Sequence, residues 1–212
     1  MGTITALTAQ VKNPDRVSVF VDGEFACGLA LSVAVAAGLR VGATLTPADL
    51  ERLAGQEEVH HARERAVGLL ARRPRSSAEI ARHLRRHRHE NGVIETVIND
   101  LTEAGLIDDA AFAAFWVEQR ETFRPRSRLA LRQELGQKGI ERDVVSEALS
   151  SLDEIDAARR VAQKQAGRWR ALPEQEWRAK LTRYLLRHGY PYDVVGEVVE
   201  ETWLALQTDN EQ

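Results

Sequence analysis

Apolar residues follow a helical period over most of the chain and an alternating one near its start. Val93, Ile94, Val97, Ile98 and Leu101 fall at i, i+1, i+4, i+5 and i+8, the stripe of a helix that buries one face. The stripe returns 51 residues later as Val144, Val145, Ala148, Leu149 and Leu152. A further shift of 50 reaches Val194, Val195, Val198 and Val199, with Thr202 where Leu is expected. Ile80 and Leu84 recur as Leu131 and Leu135, then as Leu181 and Leu185. Self-similarity at a fixed period marks a repeat array, here of three units.

Each unit reads as three helices. In the first, residues 61–71 form an amphipathic stretch with Ala66, Val67, Leu69 and Leu70 inward. Ser76 then caps a helix, and Glu79 three residues on closes the capping box. Ile80, Leu84 and His87 share its apolar face, while Arg82, Arg85, Arg86 and His89 form a separate polar face. Glu90-Asn91-Gly92 supplies the break before the stripe from Val93 to Leu101. In the second unit Asp108-Asp109 caps a helix whose Phe112, Phe115 and Trp116 read as core. Phe123 ends it beside Arg124, an aromatic–basic cluster able to touch a partner. The third begins near Asp153, with Trp177 to Arg187 as its middle helix and Gly189 matching Gly139 as the break.

The first 45 residues read differently. Residues 4–11 and 17–21 are β-rich, and Asp22-Gly23 is a two-residue hairpin signal leading into residues 24–27. Asn13-Pro14-Asp15 predicts the turn between the first two strands, and residues 29–37 a short helix ending at Gly38. Thr46-Pro47 opens a further helix. Two or three strands alone are marginal in water, so this lobe is expected to pack on the first repeat. The predicted fold is mainly α: a tandem array of three three-helix, helix-turn-helix-like repeats with a small β-hairpin-containing N-terminal lobe. The expected division is 1–60, 61–107, 108–152 and 153–207, with a frayed polar tail from Thr208.

Charge changes the picture by its distribution. The net charge is −3, yet residues 72–89 hold seven Arg and three His against one Glu. Arg73-Pro74-Arg75-Ser76 reappears 51 residues later as Arg124-Pro125-Arg126-Ser127, a basic elbow before each of two middle helices. The third repeat has Leu172-Pro173-Glu174 there and loses the elbow. One cysteine, Cys27, excludes an internal disulfide framework and fits a reducing compartment. No signal peptide or membrane-length apolar run is present, which predicts a cytoplasmic protein.

The chemistry of catalysis finds little support. Residues 38–44 space glycines like a phosphate loop but lack its lysine. His83 and His87, at i and i+4 with Glu79 a turn earlier, are outweighed as a metal site because zinc wants four converging donors and no cysteine is near. Cys27 reads as a small buried side chain. No catalytic residue, cofactor or metal is expected. Sequence-specific DNA reading is disfavoured, because the last helices of the repeats carry Glu95, Asp100 and Glu103; Asp143 and Glu147; and Asp193, Glu197, Glu200 and Glu201. The candidate binding residues are Arg72, Arg73, Arg75, Arg82, Arg85, Arg86 and Arg88, then Arg124, Arg126, Arg128 and Arg132. A periodic basic strip suits a periodic anionic partner, either a nucleic-acid backbone or an acidic protein filament. Repeat charges of +3 for residues 61–107 and −1 for residues 108–152 favour a filament over bare DNA.

Residues 14–17 (PDRV) and 21–25 (VDGEF) resemble the N-terminal hairpin of the RecX family. Residues 69–76 (LLARRPRS), 101–109 (LTEAGLIDD), 131–135 (LRQEL) and 138–140 (KGI) resemble that family's repeat motifs, in order over about residues 4–203. The resemblance implies a bacterial modulator of the RecA recombinase that lodges in the groove of the RecA–DNA filament. It implies inhibition of RecA's ATPase, strand-exchange and co-protease activities, and in many members DNA binding. The chain departs from the pattern at its third elbow, and at Arg88-His89-Glu90, which stands where the second repeat has Gly139-Ile140-Glu141. Two other readings stay open: a non-specific nucleic-acid-binding helical-repeat protein, and a helical scaffold for an unrelated acidic protein.

Overall fold

A computed structural model describes residues 1–208; the polar tail beyond Thr208 lies outside the described residues. Strands β1 (Gly2–Gln10), β2 (Asn13–Val21), β3 (Glu24–Ala30) and β4 (Thr44–Leu45) form an antiparallel sheet in the order β3-β2-β1-β4. Asp22 and Gly23 turn β2 into β3 with φ of 51° and 90°, the left-handed pair a tight hairpin needs. Asn13-Pro14-Asp15 is not the preceding turn. Val11 and Lys12 make that turn, and Gln10 faces Asn13 across it. Pro14 is tolerated inside β2 because the register with β1 slips there and pairing with β3 begins only at Arg16. Helix α1 (Leu31–Ala36) starts later than the sequence pattern suggests, since Leu29 and Ala30 pair with Val17 and Arg16.

Thr46 caps α2 (Pro47–Leu70) in a full capping box: its hydroxyl accepts from the Asp49 amide at 3.2 Å, and its own amide donates to the Asp49 carboxylate at 3.0 Å. Those Thr46 hydrogen bonds hold the Asp49 carboxyl down at about 2. Helix α2 runs unbroken for 24 residues through position 60, so one helix serves both the lobe and the first repeat. Leu53 joins Ile4, Val17, Val19 and Leu29 in the lobe core, while Ala62 and Ala66 enter the core of the first repeat. Glu57 lies between them, accepting from the Ala30 amide at 2.7 Å and pairing with Arg16 at 2.6 Å. Val67, expected inward, is exposed, because the buried line follows Ala62 and Ala66 at i, i+4 and turns its neighbour outward.

The remaining helices are α3 (Ser77–Arg86), α4 (Asn91–Glu103), α5 (Asp109–Phe123), α6 (Arg128–Lys138), α7 (Arg142–Ala148), α8 (Glu154–Ala166), α9 (Glu174–Arg187) and α10 (Tyr192–Thr208). A short 3-10 turn, Gly167–Trp169, follows α8. The chain separates into two compact units, residues 1–75 with 80–107, and residues 76–79 with the chain from Asp108 onward. In the first unit Ile80, Leu84, Ile94, Val97 and Leu101 pack with Ala62 and Ala66. In the second, Phe112, Leu131, Leu135, Val145 and Leu149 form one core, and Trp177, Leu181, Leu185, Val195 and Val198 another. Thr202 is buried at the position of the expected Leu, its hydroxyl donating to the Val198 carbonyl at 2.6 Å.

Four local expectations fail. His87 lies beyond α3 and is exposed, so it is not core. His89 leaves the arginine face and pairs with Glu58 at 2.6 Å, its side chain only 6% exposed. The break falls at Arg88, which adopts φ 65°, whereas Asn91 and Gly92 already belong to α4 behind an extended Glu90. Phe112 is core as expected and Trp116 half-buried, but Phe115 is exposed on the side of α5 away from Val117.

Candidate functional site

Each basic elbow is built around a buried serine. Ser76 accepts the Glu79 amide at 3.1 Å, and Ser127 accepts the Ala130 amide at 3.1 Å, so each caps its own middle helix. Both hydroxyls also donate: Ser76 to the Lys138 carbonyl at 2.7 Å and Ser127 to the His188 carbonyl at 2.9 Å. Those carbonyls stand just before Gly139 and Gly189, the left-handed ends of α6 and α9. A second contact recurs beside the first. The Ser77 amide donates to Asp109 at 2.8 Å and the Arg128 amide to Glu154 at 2.7 Å, each acceptor being the first residue of a following helix. Each serine hydroxyl donates once and accepts once while inaccessible to solvent, which pins the backbone at Ser76 and Ser127.

The expected site residues divide by environment. In the first unit Arg72, Arg73, Arg82, Arg85, Arg86 and Arg88 are exposed and Arg75 is half-buried. Arg85 donates to the Asn91 side chain at 3.2 Å and Arg73 to the Pro74 carbonyl at 2.9 Å. His83 sits among these cations, and burial, then His87, Arg86 and Arg65, lower its pKa below the ordinary imidazole value. In the second unit Arg124 and Arg132 are exposed. Arg126 lies 3.6 Å from Glu134, and the Nε atoms of Arg75 and Arg126, equivalent in the two elbows, are buried without a hydrogen-bond acceptor among the described residues. Arg128 is the exception. Its guanidinium is committed to the Leu149 and Leu152 carbonyls, the latter at 2.8 Å, and it serves the fold. Glu79, once a conceivable ligand beside His83 and His87, instead binds Lys138 at 2.7 Å.

Two features were missed in the sequence. Arg120 and Lys138 each lie 4.6 Å from the Trp116 ring centre, and its indole N–H donates to Glu134 at 2.9 Å. The third repeat, lacking the elbow, still carries exposed Lys180, Arg183 and Arg187 on α9. The signal was available: Arg183 and Arg187 stand 101 residues after Arg82 and Arg86.

Three-helix repeats behind an N-terminal antiparallel sheet define a helical-repeat protein. Family models agree segment by segment: the RecX N-terminal domain matches residues 2–46, and the first, second and third RecX three-helix domains match 62–101, 108–149 and 153–199. The chain belongs to the RecX family. Regulatory protein RecX of Bacillus licheniformis is 30% identical over 95% of this chain and 78% of its own length. That of Amycolatopsis mediterranei is 35% identical over 69% of this chain and 85% of its own. A crystal structure of a regulatory protein RecX superposes with a TM-score of 0.80 at 25% identity, covering 94% of this chain and all of that one.

Proposed function

We propose that this chain is a negative regulator of the RecA recombinase, binding the RecA–DNA filament and restraining its ATPase, strand-exchange and co-protease activities in the bacterial cytoplasm. The observation that supports the reading most is the recurrence of one pinned elbow, Arg-Pro-Arg-Ser, at a fixed period with the same two backbone contacts. Arg72, Arg73, Arg75, Arg82, Arg85, Arg86, Arg88, Arg124, Arg126 and Arg132 supply the contacts; Arg128 is withdrawn from that set by its carbonyl bonds. The working modules are the lobe to residue 60 and repeats 61–107, 108–152 and 153–207, with α2 passing through the first boundary. No helix among the described residues is long and apolar enough to cross a membrane.

The exposed cluster of Arg72, Arg73, Arg82, Arg85, Arg86 and Arg88 also supports a second reading as a non-specific nucleic-acid-binding helical-repeat protein. The RecA single-strand-DNA-dependent ATPase separates the two. Inhibition at substoichiometric protein, undiminished when DNA is in excess, is expected. Inhibition that disappears as free DNA is added would leave only nucleic-acid binding.

A further inference from the structure

On the third repeat, α9 borders an open groove of about 940 Å³ whose apolar lining is Leu172, Ala179 and Leu186. Lys180, Arg183 and Arg187 line it at i, i+3 and i+7, with Glu176 as the acidic member of the lining. None of the three cations makes an ion pair among the described residues: Lys180 lies over the Trp169 ring at 5.1 Å, and Arg183 donates to the Ala179 carbonyl at 3.1 Å. Arg178 on the same helix shows the contrast. Glu174 at 2.7 Å on α9 and Glu200 on α10 neutralise it, so one cation of α9 is compensated within the repeat and three face outward.

We propose that this groove is a docking site for an acidic amphipathic helical segment of a partner protein. Lys180 to Arg187 spans seven residues, about 10 Å along the helix axis, which is two turns of an opposing helix. Carboxylates at helical spacing would meet the three cations, and an apolar residue between them would cover Leu172 and Leu186. A nucleic-acid backbone fits less well. Phosphates would desolvate the apolar lining without replacing its water by apolar contact, and Trp169, the neighbouring aromatic, already carries a cation on its ring. Charge complementarity therefore selects the peptide.

The inference goes beyond the recombinase reading and does not depend on it. The probe is a fluorescein-labelled peptide of about 14 residues, with leucines at i, i+4 and i+7 flanked by glutamates, titrated by anisotropy with the full chain. Saturable binding is expected, weakened about tenfold or more by Arg183→Gln with Arg187→Gln, and separately by Leu186→Ser, but not by Arg73→Gln with Arg75→Gln. Circular dichroism of each variant checks the fold. Absence of binding, equal binding of a glutamine-for-glutamate control, or loss of oligothymidine binding with the peptide unaffected would each overturn the proposal. Because no recombinase is present, failure here leaves the ATPase result standing, and the converse holds.

Discussion

The middle helices of the first and second repeats end at the same place in the pattern but not with the same residue. Gly139 adopts φ 82° and Arg88 φ 65°, so both need the left-handed region. Only Gly139 also needs room, because a Cβ there would stand 2.3 Å from the Ala78 Cβ. Gly189 repeats this constraint, its imagined Cβ falling 2.7 Å from the Ser127 hydroxyl. Arg88 is exposed and bears only the conformational cost. The comparison separates two reasons for glycine that usually travel together, backbone conformation and close approach.

The largest effect should therefore come from Gly139→Ala. Left-handed strain of about 1–2 kcal/mol adds to overpacking against the first turn of α3, for a loss of roughly 2–5 kcal/mol in chemical denaturation. Arg88→Ala should lie within about 0.5 kcal/mol of the native chain, because strain is already present and no neighbour is crowded. Equal losses at the two sites would dissolve the distinction. Next comes Ser127→Ala, which removes a helix cap and strips the His188 carbonyl of a donor, for about 1–3 kcal/mol. Ser127→Thr should retain part of that stability if the hydroxyl matters more than volume. Arg88→Gly should stabilise by about 0.5–1 kcal/mol, relief of left-handed strain outweighing the entropy of a freer unfolded chain.

The smallest effect concerns pH. His83 is lowered by burial and by neighbouring cations, so the unfolded chain binds its proton more readily. Stability should fall as pH drops through the ordinary imidazole range toward the lower folded value, and then level off. In an NMR titration the His83 pKa should rise when an anionic partner covers Arg86 and Arg82. An unchanged titration with partner bound would place the contact elsewhere.

Most of the helical frame was legible because buried positions repeat: Ile80, Leu131 and Leu181 are all fully buried, as are Leu84, Leu135 and Leu185. Helix ends were less so. Arg88 carries no glycine signal, whereas the local composition of Glu90-Asn91-Gly92 suits a break better. The Pro14 turn was misplaced because a slip in strand register absorbs the proline, a feature that depends on the partner strand. Among the candidate arginines, charge pattern located the exposed ones. It could not reveal that Arg128 is spent on two backbone carbonyls, since those acceptors lie more than 20 residues away. The cations of α9 were legible at a shift of 101 but were obscured by the loss of the elbow before them.

The role of the elbows is tested most directly by replacing Arg73, Arg75, Arg124 and Arg126 with Gln and measuring RecA ATPase inhibition and bare-DNA binding on the same folded preparation. The proposed filament contact predicts about tenfold or greater loss of inhibitory potency with little change in DNA affinity. Inhibition equal to that of the native chain, from a variant with a native helical spectrum, would show the elbows to be a solvated surface and contradict the site.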